Sequence, residues 1–455
     1  MGAMGIRRRA PFWRAHPVGR YVVDREGRPV LIWGEGAWTL NSQLAPLASH
    51  SATPNTPAAS TLAVGQRVYL ADRQARGLNC FGLQLISRYQ GSSPNDSDGV
   101  APFTTANDFA TFNQAYFDKA ARAVQLAGEY GMVVFIFPAW EGYSDGLQGW
   151  HDALVSNGTI KCKDYGVAVA KTFYRFDNIV WGFGGDRNTS FATAEVQALA
   201  DGVLSVDTRH MNTAHWNFAS SDSQTGPWNT TRPIKTTYAW NSGQGGPVYT
   251  QVRTEYDQNT GPVFTIESLY DGNTSFGWTR QLGRTQSIMT MLMGGCGSWY
   301  GHEGVWHLGA PNTNLPSQSQ NQPYNLEAAS MTDQVAIRGA FVNRRWYDLV
   351  PDAEGTAFVT AGRGTYSNND YVGVAKTADS TLAFLYWARS SGSFTVARSG
   401  MSGTFTFKRI DPTTGTETAV SGSPFTNTGT VTFTPSTDWG NNAGGNPDWL
   451  LVLEV

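Results

Sequence analysis

At 455 residues, 40% of them hydrophobic and 15% charged, the chain can bury a large core and carry a second module, which excludes wholesale disorder. A formal net charge of -3 excludes the electrostatic footprint of a nucleic-acid or anionic-membrane binder. The three cysteines, Cys80, Cys162 and Cys296, are scattered and form no CxxC, so neither a disulfide framework nor a structural zinc site is expected.

From the N-terminus, Met1 to Phe12 carries Arg7-Arg8-Arg9 but no apolar stretch of secretory-signal length, and no later run reaches membrane-spanning length. Met1-Gly2-Ala3-Met4-Gly5 reads as an expression remnant. The expectation is a soluble chain without membrane insertion. Its compartment stays open: cytoplasmic, phage-borne, or secreted with the signal removed.

Eight apolar runs bounded by turn residues then follow: Val30 to Ala37, Asn79 to Ile86, Met132 to Ala139, Asn178 to Gly185, Met211 to Asn217, Thr236 to Trp240, Pro262 to Glu267 and Gly297 to Tyr300. Runs as continuous as Val133-Val134-Phe135-Ile136-Phe137 suit parallel strands buried on both faces. Helical patterns fall between them, with Thr61 to Arg76 closing on Gly77, Asn113 to Tyr130 closing on Gly131, and Thr193 to Val206 preceding the fifth strand. Eight such units predict an α/β chain folded as a (β/α)8 barrel, and no GxGxxG follows the first strand to favour a dinucleotide fold. The long Ser-, Asn-, Pro- and Gly-rich connections at 41–60 and 87–109 follow strands, so they belong to the C-terminal face where barrel active sites form.

Met331 to Leu349 reads as one more helix, ended by Val350-Pro351-Asp352. Short Thr-, Val- and Phe-rich runs then predict an antiparallel β-sandwich: Tyr371 to Ala375, Leu382 to Tyr386, Thr404 to Lys408, Val431 to Thr434 and Trp449 to Val455. The expected division is a catalytic barrel over 1–350 and an accessory sandwich over 351–455, packed together.

Two acids stand at ends of buried strands, where desolvation is costly unless the group is paired or used. Asp186 ends the fourth strand in Gly184-Gly185-Asp186-Arg187-Asn188, and Glu267 ends the seventh in Thr265-Ile266-Glu267-Ser268. Strands four and seven lie across the mouth of a barrel, and hydrolysis of a glycosidic bond needs two carboxyl groups. The ordinary structural alternatives are that Asp186 pairs with Arg187 or caps a helix and that Glu267 bridges to Arg280. Aromatic residues, Trp 16, Tyr 18 and Phe 23 in number, also suit the flat faces of sugar rings.

The stretches Leu31 to Trp38, Trp181 to Asn188, Pro262 to Glu267, Ser298 to Trp306 and Arg345 to Asp352 resemble, in order, the apiosidase-type glycoside hydrolase family, with Gly-Gly-Asp-Arg-Asn and Tyr-Gly-His-Glu the most specific segments. The resemblance implies a (β/α)8 catalytic domain followed by a β-sandwich that carries a collagen-binding label, with Asp186 as acid/base and Glu267 as nucleophile of a retaining reaction. It departs from the family's Gly-Asp-Thr-Ala-Trp at Gly34-Glu35-Gly36-Ala37-Trp38 and from its Glu-Pro then Tyr-Glu at Glu267-Ser268-Leu269-Tyr270-Asp271, so apiose specificity is not carried over.

By strand position the rest of the pocket is expected from Glu35, Trp38, Gln84, Trp140, Glu141, Arg187, Asn188, His215, Trp216, Asn217, Tyr238, Trp240, Tyr300, His302 and Glu303, with Gln84 and His215 suited to hydroxyls and Trp38 and Trp240 to stacking. His302, Glu303 and His307 have the wrong spacing for a helical zinc pair, and no Gly-x-Ser-x-Gly elbow appears, so no metal and no cofactor are expected. The expected partner is an oligo- or polysaccharide, with no prediction of oligomeric state. The function read from the sequence is hydrolysis of a complex plant or bacterial polysaccharide; the alternatives are a non-catalytic carbohydrate-binding or adhesion protein and a phage-borne exopolysaccharide depolymerase.

Overall fold

The computed structural model describes residues 12–43, 65–88, 94–142, 148–187, 192–217, 233–239, 249–258, 260–273, 277–308, 326–352, 358–368 and 370–455. Eight parallel strands form the central sheet: β1 (Ile32–Gly36), β2 (Cys80–Gln84), β3 (Val133–Phe137), β4 (Ile179–Gly184), β5 (Asn212–His215), β6 (Lys235–Ala239), β7 (Val263–Ser268) and β8 (Gly297–Tyr300). Their order, β5-β4-β3-β2-β1-β8-β7-β6, curls β5 and β6 toward each other, and Thr236 Oγ1 donates to the Ala214 carbonyl across that seam. The result is a near-closed barrel.

Helices flank the strands: α1 (Gln66–Ala75), α2 (Gln114–Glu129), α3 (His151–Phe173), α4 (Thr193–Val206), α5 (Tyr249–Gln258), α6 (Arg280–Leu292) and α7 (Ala329–Val342), of which α1, α2, α4 and α7 fall on the helical runs expected from the sequence and α3, α5 and α6 do not. Residues 61–64 of the first expected helix lie outside the described set. Inside the barrel, Trp299 meets Phe135 edge-on at 5.0 Å and Phe264 at 5.6 Å between ring centroids. Below them an N-terminal antiparallel sheet (Arg14–Ala15, Val22–Val23, Pro29–Val30) closes the floor, with Trp13 edge-on to Phe135. The interior is therefore packed, and ligands are confined to the mouth.

The helix expected to run to Leu349 ends at Val342. Trp346 and Tyr347 turn away to pack on Tyr21, at 6.2 and 5.6 Å between centroids, in a 3-10 turn (Trp346–Asp348) that a continuing helix could not make. The chain then enters strand β9 (Leu349–Pro351), which pairs with the C-terminal sheet.

That sheet comprises β9, β11 (Gly373–Thr377), β12 (Leu382–Trp387), β14 (Thr406–Ile410), β15 (Glu417–Ala419) and β17 (Trp449–Glu454), in the order β9-β11-β12-β17-β14-β15. A smaller sheet of β10 (Val359–Ala361), β13 (Phe394–Ala397) and β16 (Thr430–Phe433) covers one face. The alternation along β12 divides two cores. Ala383, Leu385 and Trp387 face the small sheet, while Leu382, Phe384 and Tyr386 join the barrel's core. Phe341 of α7 lies 4.7 Å from Phe384 between ring centroids.

A buried ionic knot fastens the two modules. Arg284 of α6 grips both oxygens of Asp448 at 2.8 and 2.7 Å and Asp333 of α7 at 2.8 Å, and the Tyr386 hydroxyl donates to Asp448 at 2.9 Å. Arg284 and Asp448 are both fully buried. Removing one partner of such a pair strands the other charge in a dry site, so R284M should destabilise the chain by about 3–5 kcal/mol. Urea unfolding of the variant measures this, and a loss under about 1 kcal/mol would show the knot to be energetically idle.

Candidate active site

The last residues of β4 leave ordinary strand geometry. Gly184, Gly185 and Asp186 have φ of 82, 131 and 56 degrees, the last in a region that a non-glycine residue rarely occupies. A Cβ on Gly185 would sit 2.5 Å from the Trp140 ring, so only glycine lets the chain cross that indole. The turn delivers Asp186 to the mouth, where the Trp140 Nε1–H donates to its Oδ2 at 3.3 Å.

Across the mouth, the pairing of β7 with β6 shifts register between Thr265 and Glu267. An irregularity of this kind re-aims a side chain, and here it precedes the carboxylate at the strand's end. Glu267 is 6% exposed, and its Oε2 lies 2.6 Å from His215 Nε2. Burial holds the His215 imidazole down at a pKa of about 4 despite the nearby Asp186 charge, so the ring is neutral at ordinary pH. A neutral ring meeting a carboxylate through Nε2 carries its proton there and donates.

Indoles and rings floor the pair. Trp38 lies 4.7 Å from Trp140, 5.5 Å from Phe137, 5.9 Å from Trp299 and 6.1 Å from His215 between centroids. One ligating atom each from Asp186, His215 and Glu267 falls within 4.8 Å of the others. The 2.6 Å contact of His215 with Glu267 is a hydrogen-bond distance, shorter than the separation of two ligands around zinc at roughly 2.1 Å.

Other expected pocket residues divide by position. Gln84 points inward in register with Phe137 at the end of β2, and Arg187 donates from Nε to the Gly142 carbonyl. Trp216 is buried beside Gly184, and Asn217 is half-buried at the end of β5. Glu35 and Tyr300 lie side by side in the β1–β8 register but on the outer face of the strands. There Glu35 pairs with Arg73 of α1 at 2.7 Å, and Tyr300 donates to Asp271 at 2.9 Å, so the structure does not bring these two to Asp186 and Glu267. His302 caps the short helix Glu303–Trp306 through Nδ1 at 2.9 Å from the Gly304 amide. Asn188 and Trp240 lie outside the described residues, as does the side chain of Tyr238 on β6. Arg280, the alternative partner for Glu267, is bound to Asp333 at 2.7 Å.

Tyr270, which the sequence marks only as part of the departing Glu267-Ser268-Leu269-Tyr270-Asp271 stretch and not as a pocket residue, joins the site. Its buried hydroxyl accepts from Trp38 Nε1 at 2.9 Å and hydrogen-bonds Glu267. Its place three residues beyond a carboxylate at a strand end was the available signal.

Two solved structures share this architecture from end to end. One, described as a glycoside hydrolase, is 17% identical, superposes with a TM-score of 0.78 and covers 98% of each chain. The other, a glycoside hydrolase family 5 protein from Bacteroides vulgatus ATCC 8482, is 16% identical with a TM-score of 0.79, over 98% of this chain and 94% of that one. No curated protein matches the sequence. The apiosidase-like catalytic domain model matches residues 16–356. The chain is thus a barrel glycoside hydrolase. It belongs to the apiosidase-like family.

Two further acids stand in dry surroundings. Burial raises Glu141 to about 8, against the pull of Arg187, and raises Glu303 to about 7, against hydrogen bonds from Trp306 and Asn273. In the unfolded chain each would ionise near its ordinary 4.5. Between those values the native state holds the extra proton, so the stability contributed by Glu141 is complete below pH 4.5 and is lost as pH rises toward 8. E141Q should therefore gain stability over the wild type at pH 8.5 relative to pH 4.5, measured by urea unfolding; an identical difference at both values would contradict the assignment.

Proposed function

We propose that the enzyme is a retaining glycosidase in which Glu267 is the nucleophile and Asp186 the general acid/base, acting on a complex plant or bacterial polysaccharide. The observation that carries this is the spacing. One carboxylate oxygen of Asp186 comes within 4.8 Å of one of Glu267, a closeness that suits the roughly 5–5.5 Å carboxyl spacing of retaining enzymes.

The roles follow from surroundings. Glu267 is buried and receives donors from His215 and Tyr270, which favour its charged, attacking form. Asp186 is less buried than Glu267 and stands at the barrel mouth, where Trp140 donates to its Oδ2, as suits the group that trades protons with the leaving oxygen and the attacking water. Glu267 attacks the anomeric carbon as Asp186 passes its proton to the departing glycosidic oxygen, leaving a glycosyl ester on Glu267. Asp186, now a carboxylate, takes a proton from water as that water attacks the same carbon and frees Glu267.

Trp38 and Trp140 are 2% and 1% exposed, so they suit a floor under the reacting sugar better than an open stacking platform. Once a substrate is found by screening purified protein on plant and bacterial polysaccharides, E267Q and D186N should fold normally and each lose at least about 10³-fold in kcat. Proton NMR of the first product should show the anomeric configuration of the substrate. Near-wild-type turnover in either variant, or an inverted first product, would sink the reading.

A further inference from the structure

The proposed mechanism rests on Glu267 presenting its carboxylate in one orientation, and the loops after β7 and β8 show how that orientation is held. Their backbones are laced together: the Asp271 amide donates to the Gly301 carbonyl at 2.8 Å, and the Glu303 amide to the Asp271 carbonyl at 2.9 Å. Between these bonds sits Tyr270, 4% exposed.

Its ring has no freedom. A Cβ on Gly301 would stand 1.7 Å from Tyr270 Cδ1, so the β8 backbone is in contact with the ring. The Trp306 indole lies 6.3 Å from the ring between centroids, tilted at 40 degrees. Trp306 is itself anchored, because its Nε1–H donates to Glu303 at 2.8 Å while Asn273 Nδ2 donates to the other oxygen of the same carboxylate. The Asn273 amide in turn closes a turn onto the Tyr270 carbonyl at 3.1 Å.

The direction of the hydroxyl follows from its neighbours. Trp38 Nε1 can only donate, so the phenol oxygen accepts there and its proton is left for Glu267. Burial first, and then the Glu267 charge, push the phenol well above its ordinary pKa, so it remains a donor throughout the working pH range.

We propose that Tyr270 is the positioning residue of the nucleophile, its phenol acting with His215 to fix the rotation of the Glu267 carboxylate, and that the Gly301–Trp306 segment exists to clamp its ring. This assigns a purpose to the Tyr-Gly-His-Glu stretch that sugar contact does not require of Gly301, Glu303 or Trp306. It rests on Glu267 being the nucleophile.

Y270F keeps the ring and its packing and removes the hydroxyl, which is both the donor to Glu267 and the acceptor for Trp38 Nε1. Displacing a reacting group by a fraction of an ångström to 1 Å costs up to about 10²-fold, so kcat should fall by about that factor while KM changes little. Losing a donor that favours the carboxylate should also move the acid limb of the kcat/KM–pH profile upward by about one pH unit. Wild-type kcat in Y270F would overturn the proposal, as would a fall in kcat with the acid limb unmoved, which is the signature of a merely structural residue. E267Q run beside it separates the failures: an active E267Q removes the nucleophile assignment itself, whereas an inactive E267Q with a normal Y270F removes only the role of Tyr270.

Discussion

A carboxylate that is 6% exposed and surrounded by indoles survives only if donors are brought to it, and the mouth of this barrel is organised around supplying them to Glu267. His215 reaches it from β5, the strand two places round the barrel wall past β6, and Tyr270 from the turn just beyond it. Each donor imposes a demand of its own. His215 must be neutral, which its complete burial ensures, and Tyr270 must be clamped, which requires a bare backbone at Gly301. The aromatic floor of Trp38, Trp140 and Phe137 excludes water that would otherwise compete for the same carboxylate.

Asp186 is treated in the opposite way. Three successive positive φ values lift it out of the strand and leave it partly buried, at a cost that the surrounding packing must offset. One carboxylate is thus buried and held by two donors, and the other is strained and only partly buried. Two acids of nearly equal intrinsic strength are driven toward different work by their surroundings. The C-terminal sandwich contributes at one remove. Arg284 ties it to α6, the helix connecting the strand that ends at Glu267 to the strand that precedes the Tyr270 clamp.

Much of this was legible in the sequence. Strands such as Val133–Phe137 are continuous apolar runs, and the more polar Asn212–His215 and Lys235–Ala239 were placed by their turn-bounded position in the series, while Asp186 and Glu267 stood out as acids at strand ends. What was not legible depended on which way a side chain turns. Glu35 looked like a pocket residue because it ends β1, but strand parity sends it outward to Arg73, a residue 38 positions away. Helix α3 gave no clear signal because Gly158 breaks its geometry and Gly166 interrupts its apolar face. That glycine serves packing, since a Cβ there would lie 2.3 Å from the Leu199 carbonyl of α4. Strands β10 and β15 are three residues each and mostly exposed, too short and too polar to register. Tyr270 escaped because its hydrogen bonds join Trp38 and Glu267, 229 positions apart in the sequence, and only folding brings them together.

The central claim is that Glu267 carries the sugar in a covalent intermediate. The direct measurement is mass spectrometry of the intact enzyme after incubation with an activated 2-deoxy-2-fluoroglycoside of the sugar it releases, followed by mapping of the labelled peptide. The account predicts one added glycosyl group, located on Glu267 in the Thr265–Ser268 strand end. A label on any other residue, or full inactivity toward labelling by an enzyme that still turns over its natural glycan with inversion, would contradict it.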